Sequence, residues 1–570
     1  MNNKKFSRRN FIQRGLLGLG LSSIGIDNLL EGISKNIIND LMASELNDNN
    51  LNYVGLHLLG GPNRWIWDLP LKINPSDTIK YNPSVITSFN ADPSSADDFG
   101  QYQCQTVSGI SLPPIWGTSV KASSTGSDGS VAAGDVAMSE LADNCLFIRG
   151  VVYPNGAHEG RWHNVIPFFG APGIHTFPQG QNNFNRPMDC VQYSVSRINY
   201  PYLPRGQGSA INIRFNSGEN PISPLLKPFE FGAHSYQSKA ISALPSKGFS
   251  DSTINSKINH ALEKLEVIAK KNNKKSGKLF IDHKRAKEQF LNDIANVISE
   301  FNLAKDKYIE VISLNLLSKT IPGVDLQDHI SNADFPQFYS YSEGRKIPSG
   351  VNLNDLFNEA NIDSMAYSMA LTEVLIKNKL TSSIVLGVGG VNNLSYNMDG
   401  KVTFDLNNDS HFVGTGLSLV GFTKYYKAIS GCLLTLKAYL QGIQEWDKTI
   451  IHIHGDFNRN PRIDGTGTDH GPGGSNTTIL SGLVDGAKVI GGTYVNSPGH
   501  LNNDWGIAAP FTGGIFADEP FTNHHLEASF AKIFGAASSV NVPALFEIRN
   551  GKIQPTSVVE NSGINVPWIT

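Results

Sequence analysis

The sequence has few cysteines and no excess of charge of one sign. Its four cysteines, Cys104, Cys145, Cys190 and Cys432, lie far apart and form neither a C-x-x-C pair nor a zinc-ligand spacing. One disulfide bond and a set of buried thiols are both compatible with this spacing. The 47 Lys and Arg residues nearly balance the 50 Asp and Glu residues, for a net charge of −3. This balance argues against a nucleic-acid-binding surface.

The sequence also lacks an apolar run of the about 20 residues that a membrane-spanning helix needs. A shorter apolar run, Gly15 to Ile26, follows the motif Ser7-Arg8-Arg9-Asn10-Phe11-Ile12-Gln13. This motif resembles the twin-arginine export signal; a basic amphipathic helix is the alternative. We therefore expect residues 1–45 to be a signal and linker that engage the twin-arginine translocase. The mature chain, without a transmembrane span, is expected to be periplasmic or extracellular.

Four apolar runs are typical of buried strands, and most are followed by helical patterns. The length of 570 residues permits one large α/β domain with insertions, or two or three domains. The order of strands and helices predicts a parallel, doubly wound sheet. The predicted strands are Tyr53–Leu59, Cys145–Val152, Ser383–Val388 and Thr449–His454, and the predicted helices are Leu353–Lys379, Gly414–Gln444 and Thr522–Phe534.

Three segments interrupt this pattern and are predicted to be insertions. Residues 75–135 are rich in Ser, Asp, Gly and Thr without periodicity, which predicts a surface loop. Residues 254–318 are rich in Lys, Glu, Ala and Leu at helical spacing, which predicts packed helices. The residues that follow Val388 are expected to form a small hairpin.

The most polar loop of the chain follows the strand Thr449–His454. Acidic and His side chains suit a divalent metal ion, and paired arginines suit an oxyanion. The same residue types are also ordinary turn residues, so a long solvated loop is the alternative. The residues concerned are Asp456, Arg459, Arg462, Asp464, Asp469 and His470.

The order and spacing of this loop resemble a known family. The chain has Asp456-Phe457-Asn458-Arg459-Asn460-Pro461-Arg462, then Gly467-Thr468-Asp469-His470-Gly471. This is similar to the Glu-Phe-Gly-Arg-Thr-Pro-Arg and Gly-Arg-Asp-His motifs of domain of unknown function 1501, in the alkaline-phosphatase and sulfatase-like superfamily. The resemblance implies an alkaline-phosphatase-like α/β domain over residues 46–570. Its sheet would be doubly wound and mostly parallel, with helices on both faces and large loop insertions.

The resemblance also implies roles for particular residues. Arg459 and Arg462 would bind an anion, and His158 lies where the superfamily has its nucleophile, although no Ser, Thr or Cys follows it closely. Asp68 is displaced from a ligand position of the family, so a turn or capping role is the alternative. The implied cofactor is a divalent metal ion, Zn, Ca, Mg or Mn, with the ligands Asp409, His411, Asp456, Asp469 and His470.

Two functions follow from these expectations. The first is an exported metal-dependent hydrolase in which water attacks a phosphate or sulfate ester of a small molecule or glycan. The second is an exported binding or assembly protein that keeps the scaffold without catalysis. The missing hydroxyl or thiol nucleophile favours the second, and the clustered acids and histidines favour the first.

Overall fold

A computed structural model describes the strands and helices of the core and many of the connections between them. The strands, helices and contacts of the protein are those of these residues alone. The described residues are 51–69, 105–125, 131–152, 174, 177–178, 190–193, 211–213, 267, 294–318, 339–340, 345–346, 361–362, 364–396, 402–406, 410–411, 413–456, 459–461, 467–470, 474–494, 507–508, 510–511, 519–536, 538 and 540–561.

Nine strands form the central sheet. The central strands are apolar along most of their length, as expected for strands covered on both faces. The four predicted strands are all present, with bounds within one residue of those expected. The sheet strands are β1 Asn52–Leu58, β2 Cys145–Val152, β3 Val191–Tyr193, β4 Ile211–Ile213, β5 Ser383–Val388, β6 Thr449–Gly455, β7 Ser475–Leu480, β8 Lys488–Gly491 and β9 Phe521–Thr522.

The strand order is β8-β2-β7-β6-β1-β5-β3-β4, and β9 pairs with β2. Every pairing is parallel except those of β7, which runs antiparallel to both β6 and β2. The prediction of a mostly parallel α/β sheet is therefore confirmed. Because β1 and β6 are parallel neighbours at the centre, the loops that follow them leave the same edge of the sheet.

Helices cover both faces of this sheet. Alternate residues of β1 point to opposite faces, so Leu56 belongs to one apolar cluster and Tyr53 to another. The first cluster includes side chains of three helices and the second includes side chains of the fourth. These helices are α1 Ile294–Leu316, α2 Met365–Lys377, α3 Thr415–Gly442 and α4 Asn523–Ile533, and a short α5 spans Ser557–Glu560.

The helices begin and end near their predicted bounds, with one exception. The helix predicted for Leu353–Lys379 begins at Met365, and the prediction was wrong for Asn361–Ile362, which form a strand. Residues 353–360 and 363 lie outside the described part of the chain. Within α2, the side chains of Met369 and Leu371 are buried in the core. Helix α1 confirms the helical prediction for the described end of the segment 254–318.

Part of the segment predicted to be a surface loop is a β-hairpin that packs on the helices. Strand Ser119–Thr125 pairs with Val131–Ala137, and Val120 is fully buried. The side chain of Asn315 on α1 bonds both backbone groups of Lys121, at 2.9 and 2.7 Å. The polar composition predicted a loop here. Side chains of the helices, however, form hydrogen bonds with the outer backbone groups of the strand Ser119–Thr125. The prediction was wrong for these residues.

The remaining elements are short. The hairpin predicted after Val388 is confirmed as Val391–Tyr396 with Val402–Leu406, extended by Asn361–Ile362. Further two-stranded pairs are Gln105–Val107 with Ile110–Leu112, Tyr339–Ser340 with Arg345–Lys346, Arg459–Pro461 with Thr468–His470, Thr493–Tyr494 with Ile507–Ala508, and Phe546–Arg549 with Lys552–Pro555. The 3-10 turns are Arg64–Ile66, Pro114–Gly117, Met138–Asn144 and Trp446–Lys448.

Three of the four cysteines lie in the part of the chain that the structure describes. Cys145, Cys190 and Cys432 are buried free thiols, and burial raises the pKa of Cys145 and Cys432. Cys104 lies outside the described residues. None of the described helices combines the length and the apolar character needed to cross a membrane.

Candidate functional site

The carboxyl ends of β1 and β6 carry a cluster of buried polar side chains at the centre of the sheet. The parallel register pairs His57 with His454 and Leu58 with Gly455. Asp456 follows directly after β6. The loop after β1 turns at Gly60 and Gly61, both of which have positive φ angles that favour glycine. These two loops therefore meet over the ends of the strands.

Asp456 is held by two groups from β1 and its loop. Its Oδ1 atom lies 2.7 Å from Nε2 of His57, and its Oδ2 accepts the Gly60 backbone N–H at 3.0 Å. The Asp456 side chain is only 6% exposed. An ionised carboxylate only accepts hydrogen bonds, so the Gly60 N–H orients this side chain at the edge of the sheet.

Behind this carboxylate, His57 contacts His454 in the interior of the sheet. Their Nδ1 atoms are 3.0 Å apart and their ring centroids 4.8 Å apart. Burial lowers the pKa of His454 well below its usual value, and the nearby His452, His57 and Arg64 lower it further. His454 is therefore neutral at physiological pH, with one ring N–H.

A third histidine completes this column of rings. His452 lies with its ring centroid 4.6 Å from that of His454. The hydroxyl of Thr477 donates to the Ile453 carbonyl, so it accepts from Nε2 of His452 at 2.6 Å, and Nδ1 accepts from the Tyr53 hydroxyl at 2.9 Å. Burial, with the charges of Arg64 and His57, lowers the pKa of His452 to about 3.

The predicted site residues did not include these three histidines. The signal was nevertheless in the sequence, because His57, His452 and His454 occupy alternate positions of two strands expected to be buried. A buried histidine in a strand interior requires hydrogen-bond partners. The sequence alone did not show that the two strands are neighbours or that the rings share one face.

Arg459, predicted to bind an anion, has its guanidinium inside the protein. The side chain is fully buried. Its Nε and Nη2 donate to the Gly60 and Gly61 carbonyls at 2.7–3.2 Å, and Nη1 lies 3.4 Å from Thr468 Oγ1. These bonds tie the loop after β6 to the loop after β1.

A second cluster contains three of the predicted metal ligands. His411 Nδ1 lies 3.6 Å from Asp469 Oδ1, and the rings of His411 and His470 are 4.5 Å apart with a 41° tilt. The side chains of His411 and Asp469 are 22% and 29% exposed, so solvent reaches both. The fold thus brings together residues from the loop before α3 and the loop after β6.

Backbone and hydroxyl contacts fix the two segments of this second cluster. The Ser410 hydroxyl lies 2.8 Å from Thr468 Oγ1 and donates to the Asn63 side chain at 3.3 Å. The Thr468 backbone N–H donates to the Ser410 carbonyl at 3.2 Å. Through Asn63, the loop after β1 joins the same network. The two clusters are therefore connected by hydrogen bonds at one edge of the sheet.

Asp68, the displaced acid of the first loop, has a structural partner. Arg64 donates to it through both Nε and Nη2, and Thr478 donates to its Oδ2 at 2.9 Å. Both Arg64 and Asp68 are buried. A paired Arg–carboxylate contact of this kind accounts for Asp68 without a metal ion.

Three predicted site residues, His158, Asp409 and Arg462, lie outside the described residues. In the part of the chain that the structure describes, no three His, Cys, Asp or Glu side chains are placed so that they could hold one metal ion. The second cluster nevertheless has donor types that suit zinc, namely two imidazoles and a carboxylate.

Comparison with protein-family models, with curated proteins and with solved structures finds no match. The resemblance to domain of unknown function 1501 therefore rests on the loop motifs and stays a prediction. The fold and site define an α/β protein with a mixed, mostly parallel central sheet and acid and His side chains at its carboxyl edge.

Proposed function

We propose that this chain is a metal-dependent hydrolase of phosphate or sulfate esters. The observation that supports this most directly is the contact between His411 and the Asp469-His470 pair. These residues are 58 or more positions apart in the sequence, yet they meet at the solvent-accessible edge of the sheet where α/β proteins place their ligands.

In this proposal the chain's residues bind and orient the reactants. His411, Asp469 and His470 would hold the ion, together with Asp409 and Asp456 as predicted from the motifs. A divalent metal ion polarises the ester oxygen and acidifies a water molecule. Two imidazoles among the ligands favour zinc over calcium or magnesium.

The side chains of His411, Asp469 and His470 would have to change conformation before they could hold one metal ion. Asp469 faces His411, and the tilted rings of His411 and His470 contact each other. Rotation of these partly exposed side chains about their χ angles would be needed before all three could face one ion.

A second candidate function is supported by the first cluster. The guanidinium of Arg459 and both oxygens of Asp456 already have protein partners. If these residues serve only to connect loops, the chain is a binding or assembly protein that retains a hydrolase-like sheet. Its ligand would then bind at the carboxyl edge without being cleaved.

The metal content of the purified protein distinguishes the metal-dependent hydrolase from the binding or assembly protein. The full chain, purified without affinity metals, is analysed by elemental mass spectrometry before and after incubation with zinc. We expect stoichiometric metal in the wild type and its loss in Asp469→Asn and His470→Ala. Asp485→Asn and His524→Ala are matched controls at exposed positions outside the clusters and should retain the metal.

Hydrolysis is then measured on nitrophenyl phosphate and nitrophenyl sulfate. Metal-dependent turnover that disappears in the two cluster variants would support the hydrolase. A wild type that takes up no metal under either condition would refute it and leave the binding function.

We also propose export through the twin-arginine route, on the basis of the Arg8-Arg9 motif. Replacement of both arginines by lysine should retain the chain in the cytoplasm, as measured by cell fractionation. Unchanged export of that variant would refute the proposal.

A further inference from the structure

Asn63 lies in the loop after β1, where its side chain joins the hydrogen-bond network of the second cluster. The side chain is fully buried, and its Oδ1 accepts a bond from the Ser410 hydroxyl at 3.3 Å. We infer that Nδ2 of Asn63 is an anion-binding donor of the site and receives a non-bridging oxygen of a phosphate or sulfate group. The inference rests on the proposed function and adds a residue that the loop motifs do not contain.

The side chain of Asn63 does not have the structural role that is usual for an asparagine at this position. Asn63 directly precedes the 3-10 turn Arg64–Ile66, and an asparagine there usually accepts a backbone N–H of the first turn through its side chain. The Asn63 side chain makes no such capping bond. Its backbone carbonyl accepts the Ile66 N–H instead, at 3.2 Å. The side chain therefore belongs to the network of the second cluster and not to the turn.

The direction of the hydrogen bonds in this network fixes the orientation of the amide. Arginine only donates, so Nη1 of Arg459 donates to Thr468 Oγ1 at 3.4 Å. The Ser410 hydroxyl has one proton and gives it to Asn63. The Thr468 hydroxyl must therefore donate to Ser410, at 2.8 Å. Donation runs from Arg459 through the two hydroxyls and ends at Oδ1 of Asn63.

The opposite orientation of the amide is less favourable. With Nδ2 towards Ser410, the Ser410 proton would have to turn to Thr468. The Thr468 hydroxyl would then have no acceptor for its own proton among the described residues, because its other hydrogen-bond partner, Arg459, only donates. The network therefore places Oδ1 towards Ser410 and directs Nδ2 away from it.

Nδ2 of Asn63 has two protons and no acceptor among the residues that the structure describes. Buried polar groups are nearly always hydrogen-bonded. The loop that carries this amide is held in place, because Arg459 donates to the carbonyls of Gly60 and Gly61. A fixed amide donor at the carboxyl edge of the sheet is suited to an oxyanion, because it needs little reorganisation to bind one.

The second cluster connects this buried amide to solvent-accessible side chains. His411 directly follows Ser410 in the chain, and its side chain is 22% exposed. Asp469 directly follows Thr468, and its side chain is 29% exposed. Nδ2 itself is covered. The proposed function requires the side chains of the second cluster to change conformation, and we expect an anion to reach Nδ2 with that change.

The first arm of the test observes the amide directly by NMR. The full chain, labelled with ¹⁵N in asparagine, is titrated with inorganic phosphate and separately with sulfate, both without and with zinc. The Asn63 side-chain signals are assigned by their loss in Asn63→Asp, which keeps an oxygen for Ser410. We expect these signals to shift and saturate, and those of Asn144 at the start of β2 to stay unchanged. Asn63 signals that respond to neither anion would overturn the inference.

The second arm measures phosphate affinity by isothermal titration calorimetry. Asn63→Ala removes the donor and should weaken binding by about 10- to 100-fold, as expected for a hydrogen bond to a charged group. Asn63→Asp keeps the acceptor for Ser410 but replaces the donor by an acidic group, so it should weaken binding at least as much. The control Asn144→Ala should bind phosphate as the wild type does.

Ser410→Ala separates binding by Asn63 from a purely structural role. This variant removes the bond that orients the amide but keeps the donor, so it should weaken phosphate binding by less than about tenfold. An equal loss in Ser410→Ala and Asn63→Ala would mean that Asn63 serves only as the acceptor of Ser410. That result would overturn the inference.

The outcomes distinguish failure of the inference from failure of the proposed function. A wild type whose Asn63 signals respond to an anion, but which hydrolyses neither nitrophenyl ester, refutes the hydrolase and leaves Asn63 as an anion-binding residue. A wild type that hydrolyses an ester, with Asn63→Ala equal to it in phosphate affinity, overturns the inference and leaves the hydrolase proposal standing.

Discussion

The guanidinium of Arg459 donates to the carbonyl of Gly60 through both Nε, at 3.2 Å, and Nη2, at 2.7 Å. The two residues are 399 positions apart in the sequence. This contact joins the loops that leave the two central strands, and the same guanidinium also donates to Gly61. Arg459, which belongs to a motif expected to bind an anion, therefore holds the two loops of the site together.

Replacement of Arg459 by lysine is expected to lower the free energy of unfolding by about 3 kcal/mol. Lysine keeps the charge but lacks the planar fork that serves two carbonyls, so buried acceptors lose their donors. Chemical denaturation measures the change. Arg549→Lys, in a half-exposed pair with Glu560, is the control and should cost less than about 1 kcal/mol. An equal loss of unfolding free energy in both variants would show that the Arg459 guanidinium does not stabilise the contact between the two loops.

Gly467→Ala is expected to disrupt the second cluster. Gly467 has a φ of +149°, and an added Cβ would lie 2.2 Å from the His411 carbonyl oxygen. We expect the free energy of unfolding to fall by more than about 2 kcal/mol, because backbone must shift to relieve the overlap.

The control for Gly467 is Gly486→Ala. Gly486 also has a positive φ, but nothing lies within 4 Å of an added Cβ. At position 486, alanine loses about 1 kcal/mol of stability because of the left-handed backbone conformation alone. A Gly467 variant as stable as the Gly486 variant would show that the loops of the second cluster are not in close contact.

Gly431→Ala tests the docking of the hairpin that contains Lys121. An added Cβ on α3 would lie 2.3 Å from the Lys121 carbonyl oxygen and 2.5 Å from Nδ2 of Asn315. The variant should destabilise the fold by about 2 kcal/mol even though alanine favours helices. Thermal or chemical unfolding measures this change.

Gly442→Ala, at the end of the same helix, meets nothing within 4 Å. It should stabilise the chain by up to about 1 kcal/mol through helix propensity. Stabilisation by both substitutions would contradict the close approach of the hairpin to α3.

The stability of the chain should fall in acid because of His452. Its folded pKa is about 3 and the unfolded value is about 6.5. Between these values the unfolded state binds a proton that the folded state does not, so stability is full above about pH 6.5 and decreases as the pH falls towards 3. One such group contributes a slope of about 1.4 kcal/mol per pH unit.

His452→Gln keeps a donor for Thr477 and an acceptor for Tyr53 but does not titrate. Denaturation between pH 6 and pH 4 should therefore show a smaller slope in this variant, by about 1.4 kcal/mol per pH unit. The same slope in wild type and variant would mean that His452 is not the neutral, buried group described above.

The sequence by itself determined four of the nine strands of the sheet, three of its helices and the edge of the sheet where polar loops gather. Strands β2 and β5 have the bounds predicted from their apolar runs, and α3 begins one residue after its predicted start. Local patterns suffice for this because burial imposes a period on each element separately. The order of the loop motifs also predicted Asp469 and His470 as metal ligands.

Only the tertiary structure decided which polar atoms meet. His57 and His454 are 397 residues apart, and their contact depends on β1 and β6 being neighbours in one register. The same holds for Arg459, whose residue type suits an anion as well as a carbonyl. Residue type limits what a side chain can bind, but the order and register of the strands determine which partner lies within hydrogen-bonding distance.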